Sequence, residues 1–347
     1  MKISKVFKLT AIVAVFALAL VGCAKPNATT TPVPTNSPVA TSTPEVSSTP
    51  EIAFVEVTDI HGTVTVPVNP QNVVALDNRT FETLSDWGIE LAAVPKGVMP
   101  ADSIYVKDDS VQDIGNHSEP KLEIIAAVNP ELVIVGQRFA KYYEDIKALV
   151  PNAAVIDLSF DVSGEVDPAG ESLVNGLSNS TIALGKIFDK NAEAADLVAE
   201  FENSIADAKA AYNGTDTVMT VIVSGGNIGF SAPTSGRVWG PMYEMFGWVS
   251  SLSVDGSTSD HQGDDISVEA IAQSNPDWIL ILDRDAAVSS TENAVPAQDV
   301  INNSPALKNT TAISNNQLMY APNDTYTNES IQTYIELFGN LKTAFGG

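Results

Sequence analysis

Two segments of this chain are nearly the same phrase: "NPELVIVGQR" at 129–138 and "NPDWILILDR" at 275–284. Each runs Asn-Pro, an acid, an apolar stretch and then, at its end, Arg138 or Arg284. Arginine is scarce here, with Arg79, Arg138, Arg237 and Arg284 the only four. A guanidinium is planar, permanently charged and donates in a fixed fork, so its chemistry is recognition of oxyanions. Three histidines (His61, His117, His261) and one cysteine, Cys23, complete a small inventory of reactive side chains.

The elements that must hold these arginines follow from pattern. Aligning 121–138 with 267–284 at a constant offset of 146 residues matches Glu, Ile, Ala, Asn, Pro and Arg, six identities in 18 without a gap. Each segment reads as a helix, a Pro-marked turn and a buried strand. Short apolar runs such as "NVVAL", "AAVIDL", "TVMTVIV" and "QLMYA" alternate with helical stretches, which indicates α/β layers around largely parallel sheets. In such sheets ligands collect beyond the carboxyl ends of the strands, so Arg138 and Arg284 belong near one cleft between two α/β lobes. "VEVTDIHGTVTVPV" reads as an entry hairpin with His61 in its turn. We expect an N-terminal lobe over 51–170, a connecting helical segment over 171–214 and a C-terminal lobe over 215–347.

The first fifty residues are different. Lys2, Lys5 and Lys8 precede "LTAIVAVFALALVG" and then Cys23. That run is too short for a spanning helix and reads as a secretory signal over 1–22. "LVGC" resembles the bacterial lipobox, which implies cleavage and lipidation at Cys23. From Ala24 to Pro50, 17 of 27 residues are Thr, Pro or Ser, so 23–50 reads as a lipidated cysteine followed by a disordered tether. An anchor and a tether imply work at the extracytoplasmic face of a cell membrane.

The chain carries 43 acids against 18 bases, a formal charge of −25. Such a surface repels nucleic-acid phosphates, so nucleic-acid binding is excluded as a leading reading. There is no G-x-S-x-G elbow, Walker loop or cluster of cysteines and histidines, which argues against an enzyme and against a zinc carrier.

"HGTVTVPVNPQNVVAL", "IIAAVNPELVIVGQR", "HQGDDISVEAIAQSNPDWILILDR" and "MYAPNDTYTNES" resemble the iron-siderophore and cobalamin class of ABC-transporter substrate-binding proteins. The resemblance runs from about Phe54 to the C-terminus and is greatest to members that bind ferric catecholate siderophores. It implies two α/β lobes joined by a long backbone helix (a class III substrate-binding protein), with a ligand cleft between the lobes and little lobe motion. It further implies that Arg138, Arg237 and Arg284 neutralise an anionic ferric complex. Trp239, beside the second arginine, has two roles open to it: stacking on a catechol ring or packing the lobe. His261 and Tyr326 match positions that complete the coordination of Fe(III) in some members. Glu123 and Glu269 match acids that dock a permease dimer with its ATPase. No intrinsic cofactor is implied, the iron complex being cargo, and a monomer is expected. Departures are the segment "SGRVWGPMYEMFG", where the family commonly follows arginine with Phe-Gly, and a Tyr326 loop poor in aromatics. Haem or cobalamin binding by the same fold, or a tethered surface interaction module, are the alternatives.

Overall fold

A computed structural model describes residues 53–288 and 294–347. The signal segment, Cys23 and the tether lie outside the described residues. The chain enters through a hairpin of β1 (Phe54–Asp59) and β2 (Gly62–Pro67), whose two-residue turn is Ile60-His61. The Asp59 carboxylate accepts the His61 backbone N–H at 2.8 Å, and Gly62 takes φ +126°, a conformation that an L side chain resists. His61 stacks on Tyr143 with ring centroids 3.7 Å apart, which pins the hairpin to the first lobe.

Each lobe is built on a parallel sheet. The first contains β3 (Val73–Ala75), β4 (Leu91–Val94), β5 (Gln112–Asp113), β6 (Leu132–Val135) and β7 (Ala154–Asp157), in the order β5-β4-β3-β6-β7. The second contains β8 (Thr217–Ser224), β9 (Asn227–Phe230), β10 (Val249–Ser250), β11 (Trp278–Asp283) and β12 (Leu318–Tyr320), in the order β10-β8-β11-β12, with β9 antiparallel on β8. Both sheets reverse their direction of growth once, between β3 and β6 and between β8 and β11. Crevices for ligands form at such reversals, beyond the carboxyl ends of the strands. Arg138 lies three residues after β6, and Arg284 directly follows β11.

The repeat seen in the sequence is carried by hydrogen bonds. Gln71 N–H donates to Glu131 Oε2 at 2.7 Å, and 146 residues later Thr217 N–H donates to Asp277 Oδ2 at 2.8 Å. Asn129 and Asn275, which open the two Asn-Pro turns, both take φ +46°. Asparagine tolerates this left-handed conformation better than most side chains. The preceding helices, Leu122–Ala127 and Val268–Ser274, carry Glu123 and Glu269 exposed in their first turns, and the Ser267 hydroxyl caps the second by accepting from Ala270 N–H.

Between the lobes run two helices, Ala169–Ile187 and Asn191–Ala211. The first is shared: Leu173 and Leu177 lie in the second lobe's core, Leu184 and Ile187 in the first lobe's. The other returns along the second lobe, where Phe201 packs on Phe338 of the C-terminal helix Ile331–Gly346 at 5.9 Å between ring centroids.

Candidate functional site

A cavity of about 500 Å³ opens between the lobes and is lined by Arg138, Arg237, Arg284, His261, Tyr326 and His117, among others. A depression of about 580 Å³ lies elsewhere, between the hairpin and residues 143–155, and no arginine lines it. The interlobe cavity, where the arginines gather, is therefore the candidate site.

Arg138 and Arg284 are held the same way. Arg138 Nε donates to Asn78 Oδ1 at 3.1 Å, and Arg284 Nη1 donates to Ser224 Oγ at 3.1 Å. Asn78 and Ser224 sit at or just after the ends of β3 and β8, and they too are 146 residues apart. Each arginine is thus braced across its sheet's reversal by an equivalent residue of the neighbouring strand. Asn78 itself donates to the carbonyls of Val98 at 2.7 Å and Thr327 at 2.6 Å, which fixes its amide against both lobes.

The third arginine reaches the cleft from an irregular loop. Thr234 and Val238 flank Arg237 at φ +68° and +64°, and a β-branched residue at such an angle is a genuine outlier. The loop is anchored by Trp239, whose backbone N–H donates to the Arg237 carbonyl at 2.7 Å and whose ring is fully buried in the second lobe's core. Of the two roles open to Trp239, it takes lobe packing; it does not line the cavity, which removes it from the ligand-stacking residues. An apolar core was available beneath the loop, and burial there holds the loop's strain.

The arginines are not waiting unpaired. Glu329, 8% exposed, is contacted by Arg237 Nη2 on Oε1, which also lies 3.9 Å from Arg138 Nη2, while Oε2 lies 3.7 Å from Arg79 Nη2. Burial alone would push the Glu329 carboxyl up, but Arg237, Arg79 and Arg138 outweigh it and hold it below the usual carboxylate range. Burial pulls Arg138 down, whereas Glu329 and the Tyr326 and Tyr334 hydroxyls overcome burial at Arg237 and raise it; the shared carboxylate belongs chiefly to Arg237. Arg284 has Asp285 at 4.0 Å. Arg237 Nε and Arg284 Nε are nevertheless buried without a hydrogen-bond partner, leaving each guanidinium with an unused donor.

Arg79 is buried, its guanidinium 3.8 Å from the Phe160 ring centroid and its Nη2 turned to Glu329. All four arginines of the chain therefore meet in one cluster. Tyr326 is 6% exposed, with Arg237 Cζ 4.6 Å and Arg284 Cζ 5.2 Å from its ring centroid. Cations over its ring favour this geometry. His261 stands at the exposed mouth, with Nδ1 4.0 Å from Asp260. His117 enters from the first lobe with Nδ1 buried and unpartnered; burial, then Arg138 and Lys141, hold its imidazole below the usual value.

Glu329 and His117 were missed in the sequence reading. His117 follows β5, so the rule that ligands gather beyond strand ends could have found it. Glu329 carried no such signal, because one acid among 43 stands out only when its neighbours are seen.

Residues 73–325 match the model of one family, described as periplasmic binding protein. The chain belongs to that family. It is 29% identical over 271 residues to the petrobactin-binding protein YclQ of Bacillus subtilis, covering 77% of this chain and 79% of the relative. It is 27% identical over 266 residues to the ferric-anguibactin-binding protein FatB of Vibrio anguillarum, covering 76% and 79%. The crystal structure of YclQ superposes with a TM-score of 0.70 at 24% identity, covering 85% of this chain and 99% of the other, a likeness in fold. The two α/β lobes are those of a class III substrate-binding protein.

Proposed function

We propose that this chain is the extracytoplasmic substrate-binding component of an ABC importer, capturing a ferric siderophore, of catecholate type, for delivery to a membrane permease. The observation that carries this reading is the convergence of three of the four arginines of a −25 chain on one interlobe cavity that also holds a tyrosine and two histidines, with the fourth, Arg79, joined to them through Glu329. The names of the relatives, one a petrobactin binder and one a ferric-anguibactin binder, support the same ligand class.

In this reading Arg138 and Arg284 meet the anionic oxygens of the ligand from opposite lobes, and Arg237 lines the cavity beside them. Charge-assisted hydrogen bonds of this kind are stronger than neutral ones and suit charge spread over catecholate oxygens. A ligand with unfilled iron positions would take an imidazole nitrogen from His261 and a phenolate oxygen from Tyr326, both sound donors to Fe(III). The protein performs no chemistry on its cargo. Cys23 would carry the lipid that keeps the body at the membrane, and Glu123 with Glu269, exposed on equivalent helices, would dock the permease. Native mass spectrometry of the residue 51–347 body against a panel of ferric siderophores tests this. We expect one-to-one complexes with ferric catecholates and none with the iron-free ligands at equal concentration. Retention of haem or cobalamin in their place would overturn the assignment.

A further inference from the structure

Glu329 is a permanent feature of the cleft rather than a mobile counter-ion. It lies three residues after Tyr326, on the segment leading into the C-terminal helix. Ser330 caps that helix by accepting from Thr333 N–H at 3.0 Å, and Asn328 Nδ2 donates to Glu82 of the first lobe at 2.9 Å. Ser330 Oγ also donates to Glu82. The helix cap and the two bonds to Glu82 of the first lobe hold the backbone on which Glu329 sits, and its carboxylate is engaged by Arg237, Arg138 and Arg79. Its charge therefore stays in place when the cavity fills, and so does its contact with Arg237.

That fixed charge alters what the cavity can hold. Four arginines alone would demand a highly anionic guest, but Asp285 and Glu329 face them, and Asp77 sits behind Arg79. Arg237 is largely neutralised before any ligand arrives, so Arg138 and Arg284 are the cations with most charge to give. Resting on the ferric-siderophore reading, we propose that Glu329 is the specificity-determining residue for ligand charge: it biases the cleft toward low-charge ferric complexes and against highly anionic ones. A second feature makes the idea separable from scaffolding. Neither Glu329 nor Arg79 lines the ligand cavity; both line an adjoining one with Arg237, so each changes the charge of the cluster without offering the ligand a direct contact.

The test compares two probes, a ferric bis-catecholate, which is a monoanion, and a ferric tris-catecholate, a trianion. The readout is the ratio of their affinities by tryptophan-fluorescence titration, with circular dichroism as the folding control. In Glu329→Gln the ratio should move toward the trianion by on the order of tenfold or more, since one buried charge acts on ligands differing by two. Arg79→Met should move it the opposite way. The double variant, with the charge count restored, should return close to the wild-type ratio. If both affinities fall together and the ratio stays fixed in every variant, Glu329 is only a scaffold and the proposal is wrong. Should Glu329→Gln fail to fold, Arg79→Met alone decides by the same ratio. Failure of the siderophore reading looks different: the wild type binds neither complex, and this proposal falls with it.

Discussion

Asp77 shows how closely the cleft's support is tuned at the scale of single residues. It is buried behind Arg79, its Oδ1 accepts the Arg79 backbone N–H at 3.1 Å, and its Oδ2 has no partner. Gly136 makes room for it, because a Cβ there would lie 2.3 Å from the Asp77 side chain. Burial pushes its carboxyl up to about 6, against the pull of Arg79. A carboxyl raised in the folded state holds its proton more tightly there than in the unfolded chain. Its penalty is therefore absent at low pH and grows as pH rises from the ordinary carboxylate range through about 6. Asp77→Asn should stabilise the protein by roughly 1–3 kcal/mol at pH 7.5 and hardly at all near pH ~4, measured as urea midpoints at both values. Equal effects at the two pH values would remove the ionisation argument. None of this was legible in the sequence, where Asp77 is one acid in "DNRTFETL". The role of Arg79 was hidden for the same reason: a guanidinium's partner is decided by tertiary contact, and Glu329 is 250 residues away.

At the scale of elements, much more was legible. The Asn-Pro turn, the apolar strand and the terminal arginine are local patterns, and the offset of 146 residues placed Arg138 and Arg284 at equivalent strand ends before any coordinates. The structure extends the equivalence to Asn78 with Ser224 and Gln71 with Thr217, which sequence identity could not show because the paired residues differ. What repeats is a hydrogen bond, and several side chains can make it. The turn itself rests on Asn129 at φ +46°, exposed to solvent. Asn129→Ala should cost about 1 kcal/mol and Asn129→Gly little, since only the Cβ opposes the left-handed conformation. Denaturant midpoints check this, and equal losses for both variants would place the cost elsewhere. The Arg237 loop was the least legible element. Its path depends on positive φ at Thr234 and Val238, residues whose types argue against it, and on Trp239 turning into the core instead of the cleft.

For the whole molecule, charge and connection work together. Against a formal charge of −25, three of the four arginines line one crevice between the lobes and the fourth, Arg79, joins them through Glu329. The shared helix Ala169–Ile187 contributes to both cores, and the Glu82 contacts with Asn328 and Ser330 tie the first lobe to the second. The two-lobed plan and its stiff helical link could be read from strand and helix periodicity. The polar tie at 328–330 could not, because it joins residues 246 or more apart in the chain. Two equivalent arginines, one from each lobe, are thereby held facing one cavity, and this is the centre of the account. The most direct measurement is a fluorescence titration of the wild type and the Arg138→Ala/Arg284→Ala double variant with a ferric bis-catecholate. We predict binding by the wild type and a loss of at least a hundredfold, about 3 kcal/mol, in a double variant that remains folded by circular dichroism. Unchanged affinity in that folded variant would contradict the assignment of the cleft as the anion-binding site.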